Sequence, residues 1–496
     1  MDLLGSRNSF AELLRHCKSL REAKSAHADV AKAGLDRSDT FLGNLVVQMY
    51  ARCGSLQEAR KAFDRIKEPN VFSWTLLITA YARNGQIEEA SFLYDSAPEP
   101  DVILSTAMLT ALVENNKLDE ARKVFSKMPE KNVVSWNAMI SGFVQAGLCE
   151  EAFGAFQQMD LDGFSPNSVT LVSILSGCTS LAQGKMIHGS ICFEVETKAI
   201  NALISMYGRF ASLVDARSVF DALEEKDIVS WTGMISAYVH NQEKNRAMET
   251  FARMDLEGVS PNRVTLVSVL NCCSAPSSVT FIRAEAVAAG FQAHISLNNA
   301  LITAYARTGL IKVSRAIFLV MPEKDTISFN AMIIAYAQQG HAREALELPW
   351  LMEMEGFSRD RITFTNIFFA CGHSGLLERC WEDLLAMQAD FQLKPLPDHY
   401  QCLMELLGKA GKLEEVEDLI GSMPYEPDSV AWNSLLGACK IHSDSSRGTR
   451  ATQRYVDLSP GPGFSIAIEV YTSYSLPLEL HESSNFSQNI TVLVSR

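Results

Sequence analysis

Short apolar blocks recur along this chain at helical spacing, and glycine or a small polar residue interrupts them every two or three turns. Five blocks share one context: FSWTLLITAYARNG, VSWNAMISGFVQAG, VSWTGMISAYVHNQ, ISFNAMIIAYAQQG and VAWNSLLGACKIHS. A second series, GNLVVQMYARCGSLQEAR, INALISMYGRFASLVDAR and NNALITAYARTGLIKVSR, fills the gaps between them. A third, more degenerate kind reads VTLVSILSGCTSL, VTLVSVLNCCSAP and ITFTNIFFACGHS. Trp74 and Trp136 are 136 − 74 = 62 residues apart, two periods of 31, and the period runs from 31 to 36 residues overall. Self-similarity at that period marks one supersecondary unit stacked many times.

Eight units align on Asn44, Thr75, Thr106, Asn137, Asn201, Thr232, Asn299 and Asn330, with Gln401 as a ninth. Ten residues after these anchors stand Gly54, Gly85, Asn116, Gly147, Ala211, Gln242, Gly309, Gly340 and Gly411, where a helix ends and the chain needs a positive φ. Five residues on come Ala59, Ala90, Ala121, Ala152, Ala216, Ala247, Ser314, Ala345 and Val416, small enough for two antiparallel helices to approach closely. Four more reach Phe63, Tyr94, Phe125, Phe156, Phe220, Phe251, Phe318, Pro349 and Ile420, mostly aromatic, which fill the space between hairpins. Each unit therefore reads as helix, tight turn, helix. One hairpin cannot bury both faces, so the expected fold is all-α: an α-solenoid superhelix of stacked helix-turn-helix repeats, right-handed or otherwise curved. Pro349 falls inside a second helix and predicts a kink. Glycine breaks the helices too often for a heptad coiled coil.

Composition narrows the function classes. In 496 residues, 44 Lys and Arg stand against 58 Asp and Glu, a formal charge of −14 that argues against holding a polyanion by bulk charge. A local basic face remains compatible with it. No run of eighteen apolar residues suggests a membrane span, and the first residues hold neither a signal core nor an evident transit peptide. The eleven cysteines are scattered and form no Cys-x-x-Cys, so neither a disulfide framework nor a zinc site is expected, and a reducing compartment fits.

The motifs VVSWNAMISGFVQAG, EEAFGAF and YARCGSLQEARKAFD resemble the pentatricopeptide repeat family, in the plant subclass that alternates standard, long and short units. The resemblance covers about residues 8 to 458. Short units fall at 40–70, 71–101, 102–132, 197–227 and 295–325, and standard units at 133–167, 228–262 and 326–360. Long units lie at roughly 8–39, 168–196, 263–294 and 361–396. The array 40–428 thus follows a partial long repeat within 1–39. It ends in a short unit at 397–428, and 429–458 is similar to the start of the subclass's C-terminal extension motif. The tail 459–496 leaves the pattern and reads as poorly ordered, truncated or frame-shifted.

What the resemblance implies is recognition of single-stranded RNA, one base per repeat, by two side chains. The anchors pair with repeat-end residues as Asn44 with Asn70, Thr75 with Asp101, Thr106 with Asn132, Asn137 with Asn167, Asn201 with Asp227, Thr232 with Asn262, Asn299 with Asp325, and Asn330 with Asp360. Every end residue is Asn or Asp, which are also ordinary helix caps and turn formers. By resemblance the pairs favour C, G, A, a pyrimidine, U, A, U and U, giving 5′-C-G-A-Y-n-U-A-n-U-U-3′ with long units unread. Gln401 with Asp428 is not readable. Three residues before the anchors, the resemblance implies an aliphatic that sandwiches the base, and Lys198 and Ser296 depart from that pattern. Eight residues after them, Arg52, Arg83, Arg209, Arg307 and Lys409 are the expected phosphate contacts, with a single-strand salt slope of about −3.5 if all five engage.

Related proteins often end in a zinc deaminase, signed by His-x-Glu and Pro-Cys-x-x-Cys. Neither signature occurs here, and no phosphate loop or nucleophile elbow appears, so no enzyme activity, cofactor, metal or small-molecule substrate is expected. The expected function is a site-recognition factor for organellar RNA modification, C-to-U editing, with single-stranded RNA as partner and a deaminase supplied in trans. By resemblance the compartment is the mitochondrion or chloroplast, with the mitochondrion slightly preferred. The alternatives are a peptide-binding helical-repeat scaffold, or RNA processing or stabilisation without editing.

Overall fold

The computed structural model describes residues 3–458, apart from 99 and 192–195. The divergent tail 459–496 lies outside the described residues. Among the described residues there are 29 helices and no strand, as the period demands. Two compact units divide the chain, Met1–Ser260 and Pro261–Arg496.

In the first unit the opening helices of successive repeats lie side by side: Thr40–Arg52, Val71–Arg83, Val102–Glu114, Val133–Gln145, Ser168–Ser176, Thr197–Arg209 and Ile228–His240. In the second unit the same layer is built by Arg263–Cys272, Ile295–Arg307, Thr326–Gln338, Arg361–Ser374, Pro397–Lys409 and Ser429–His442. Within each unit a closing helix, such as Leu56–Arg65 or Ile311–Val320, packs against its own opening helix and the next one. A repeat therefore completes its core only when a neighbour stacks on it.

Turn, small residue and aromatic each have a visible cause. All nine residues ten places after the anchors adopt positive φ, including the non-glycines Asn116, Ala211 and Gln242 at φ 58, 56 and 62°. Ala211 takes the left-handed conformation despite its Cβ, because the hairpin around it fixes the turn. The nine small residues of the closing helices, from Ala59 to Val416, are all fully buried. The aromatic one turn on meets the ring just before the next anchor. Phe63–Trp74, Phe125–Trp136 and Phe220–Trp231 pack edge-to-face with centroids 4.8 Å apart, and Phe318–Phe329 at 5.2 Å. Each such pair adds about 0.5–1.5 kcal/mol beyond its burial and joins one repeat to the next. The helix Ala342–Met354 continues through Pro349 at 13 residues, the length of Cys149–Leu161 and Lys244–Leu256.

Candidate nucleic-acid interface

The N-terminal ends of the opening helices gather polar side chains into a repeating cluster. Asn70, Asp101, Asn132, Asn167, Asp227, Asn262, Asp325, Asp360 and Asp428 each cap the helix that follows. In every case Oδ1 accepts the N–H three residues on, at 2.7–3.0 Å. Asn and Asp satisfy helix donors that would otherwise be orphaned, so the cap role is real at all nine positions.

The same oxygen also receives the anchor. Asn44 Nδ2 donates to Asn70 Oδ1 at 3.4 Å, Asn137 to Asn167 at 3.1 Å and Asn201 to Asp227 at 3.4 Å. In the second unit Asn299 donates to Asp325 at 3.3 Å and Asn330 to Asp360 at 3.0 Å. These bonds all fall on Oδ1. An end asparagine thus keeps its amide N–H groups outside the cap network, whereas an end aspartate keeps its second carboxylate oxygen. Burial works against ionisation of Asp227, but the Ser230 hydroxyl and N–H and the Asn201 amide outweigh it, holding its carboxyl below the usual range.

The threonine anchors behave differently. Thr75 Oγ1 bonds back to the Val71 carbonyl at 2.9 Å, and Thr106 Oγ1 is buried without a partner. Thr232 is half-buried on Ile228–His240, and Asn262, in the other unit, caps Arg263–Cys272. Gln401 turns to Glu405 of its own helix at 3.2 Å. Oδ1 of Asn44, Asn201 and Asn299 is also buried and unpartnered. Buried orphans of this kind are costly and rare in a finished core.

Beside each cluster stands an exposed apolar residue: Phe41, Phe72, Ile103, Val134, Val229 and Ile327 are 43–64% exposed. Lys198 and Ser296 occupy the place in two of the repeats that follow long units. The long units carry it as well, in Val169, Val264 and Ile362 at 58, 53 and 60% exposure. Where an anchor would stand they have Val172, Val267 and Thr365, so two of the three offer no polar group beside the apolar platform. The VTLVS, VTLVS and ITFTN patterns carry this signal in the sequence.

The five cations divide into two kinds. Arg52 donates to the carbonyls of Arg15 at 3.0 Å and Leu14 at 2.9 Å, and Arg209 to those of Ser176 and Leu175, both at 2.6 Å. Arg307 reaches Leu270 at 2.7 Å and Cys273 at 3.2 Å. Each guanidinium thereby caps the last turn of the preceding opening helix, and two of those helices stop after 9 and 10 residues instead of 13. In other repeats the neighbouring position does this work: Asn115 bonds the Ala82 carbonyl, Asn241 that of Gly208, Gln339 that of Ala306, and His442 that of Gly408. Arg83 and Lys409 are exposed and have no side-chain hydrogen bond or ion pair among the described residues.

No cluster able to hold a metal ion occurs among the described residues, and none of their helices is long and apolar enough to cross a membrane. The acidic residues Glu58, Glu89, Glu120 and Glu151 sit in the first turns of closing helices, away from the capped ends of the opening layer.

Comparison with known proteins places this architecture. A family model described as the PPR repeat family matches residues 131–180 and 226–275. One described as the PPR repeat matches 44–71, 72–99, 104–133, 299–326, 327–357 and 398–426. A mitochondrial pentatricopeptide repeat-containing protein of Arabidopsis thaliana is 32% identical over 472 residues, covering 92% of this chain and 59% of its own length. A second from that plant, also named mitochondrial, is 34% identical over 310 residues, 61% of this chain and 51% of its own. The chain spans about half the length of the curated relatives it matches. The crystal structure of the maize pentatricopeptide repeat protein PPR10 shares the fold, with a TM-score of 0.62 at 19% identity over 95% of this chain and 71% of that one. With matched repeats across more than half its length and hairpins of the same fold, the chain belongs to the pentatricopeptide repeat family.

Proposed function

We propose that this chain binds single-stranded RNA in a sequence-specific manner, one base per repeat, as a site-recognition factor for C-to-U editing in an organelle, with the deaminase supplied in trans. The observation that carries the reading is the pair repeated in five units: an anchor asparagine amide donating to an end Asn or Asp whose Oδ1 also takes the cap bond. An end aspartate then offers an acceptor, which suits the imino N–H of U or G. An end asparagine offers a donor, which suits the ring-nitrogen acceptor of C or A. The exposed apolar residue next to each pair supplies a platform for the base face, as single-strand binders require.

Arg83 and Lys409 hold phosphates, while Arg52, Arg209 and Arg307 serve first as caps. The alternation of standard, long and short units belongs to the subclass that acts in editing, and 429–458 resembles the start of its extension motif. Relatives named mitochondrial, and one named chloroplastic, support an organellar location. Base reading needs no catalytic group, so the chain acts as an address and not as an enzyme.

Crosslinking in plant organelles followed by sequencing of the bound RNA tests this directly. Recovered fragments should share 5′-C-G-A-Y-n-U-A-n-U-U-3′ upstream of an edited cytidine. Loss of the protein should then lower conversion of that cytidine. A conserved site with unchanged conversion supports processing or stabilisation instead, and recovery of peptides without RNA sinks the reading.

A further inference from the structure

Resting on that RNA-reading function, we propose that Thr170 and Thr363 are positioning residues for base specificity, which fix the reading amides of Asn137 and Asn330. Both stand three residues into the opening helix of a long unit, and both are fully buried. Thr170 Oγ1 lies within bonding distance of two oxygens, Asn137 Oδ1 at 2.5 Å and Asn167 Oδ1 at 3.0 Å, while it accepts the Asn167 N–H at 3.1 Å. Thr363 repeats the arrangement, at 2.8 Å from both Asn330 Oδ1 and Asp360 Oδ1.

Serine fills the place in Val71–Arg83, Ile228–His240 and Thr326–Gln338 and does less. The hydroxyls of Ser73, Ser230 and Ser328 donate to their own caps at 2.9, 2.7 and 2.7 Å. The anchors before them, Asn44, Asn201 and Asn299, keep a buried Oδ1 with no partner. The difference has a simple origin: threonine is stiff at χ1, and its methyl holds the hydroxyl between anchor and cap. At Asn137 and Asn330, Nδ2 gives one proton to the end residue and Oδ1 is engaged by threonine, so flipping the amide breaks both bonds. What each anchor then presents to a base is its second N–H, a donor that suits the O2 acceptor shared by the pyrimidines. Asn44, Asn201 and Asn299 keep the Nδ2 bond to the end residue but lack this second hold on Oδ1.

The test measures affinity for RNAs carrying each base opposite Asn137 and opposite Asn330, using the full chain. Thr170→Val should reduce pyrimidine-over-purine preference about five- to tenfold opposite Asn137 and nowhere else, the worth of one buried hydrogen bond. Thr363→Val should do the same opposite Asn330. Thr170→Ser and Thr363→Ser, which carry the residue found at this place in Val71–Arg83, Ile228–His240 and Thr326–Gln338, keep the hydroxyl but free χ1, and should give a smaller loss at the same nucleotides. Preference unchanged at those nucleotides in the serine and valine variants overturns the inference. So does a uniform loss of affinity with preferences intact, which is what a purely structural cap defect produces. Absence of any base preference in the unmodified chain instead overturns the RNA-reading function itself.

Discussion

At the scale of single residues, one side chain serves stability and recognition together. Asp325 caps Thr326–Gln338, receives Asn299 and Ser328 on the same oxygen, and keeps Oδ2 outside that network. Asp325→Asn should leave the cap intact, because asparagine caps as well as aspartate. It replaces an acceptor by a donor, so competition binding should show preference moving from U towards C at that nucleotide, by about tenfold. His399 illustrates a purely structural residue. Its Nδ1 accepts the Leu396 N–H at 2.9 Å, its Nε2–H donates to the Arg361 carbonyl at 3.1 Å, and burial holds its pKa below the ordinary histidine value. The neutral ring satisfies both partners, and protonation would take away the Leu396 acceptor. The folded-state pKa lies below the unfolded one, so the stabilisation is fully present above about pH 6.5 and is lost as pH falls towards the folded value. Thermal unfolding midpoints should drop across that window, and His399→Gln should flatten the drop.

At the scale of helices, the junctions decide what a cation can do. Three of the five cations expected to contact phosphate are held by carbonyls of the preceding repeat, each time after a long unit. Arg209→Ala leaves the Leu175 and Ser176 carbonyls without that donor and should destabilise the first unit by about 1–2 kcal/mol in denaturant unfolding. Arg83→Ala should leave stability within about 0.5 kcal/mol and weaken RNA binding uniformly across sequences. The spacing alone put both arginines in one class, since the pattern records position and not where the preceding helix stops. The short opening helices Ser168–Ser176 and Arg263–Cys272 make the difference for Arg209 and Arg307, whereas Arg52 meets the last turn of Leu3–His16, a helix of 14 residues.

At the scale of the whole molecule, the net charge of −14 makes sequence-independent attraction weak, so affinity has to come from base edges, platforms and few phosphates. With Arg83 and Lys409 as the free cations of the set, the logarithm of affinity should fall with the logarithm of salt at a slope of about −1.4, well short of the −3.5 expected for five contacts. A titration series from low to physiological salt checks it. Much of this architecture was legible in the chain itself. Period, turn, small residue and aromatic recur at fixed offsets, and a hairpin that cannot bury its own faces has to stack, so the all-α repeat fold follows from sequence. The end asparagines and aspartates were equally legible, but whether they cap helices or meet anchors was open, and the tertiary structure shows that one oxygen does both. Tertiary structure alone also decided which anchors keep an unpartnered oxygen, which are held by Thr170 and Thr363, and which arginines are already spent. Those outcomes depend on contacts between residues some thirty positions apart, where one repeat meets the next, and local pattern fixes the partners' spacing without fixing which of their atoms touch.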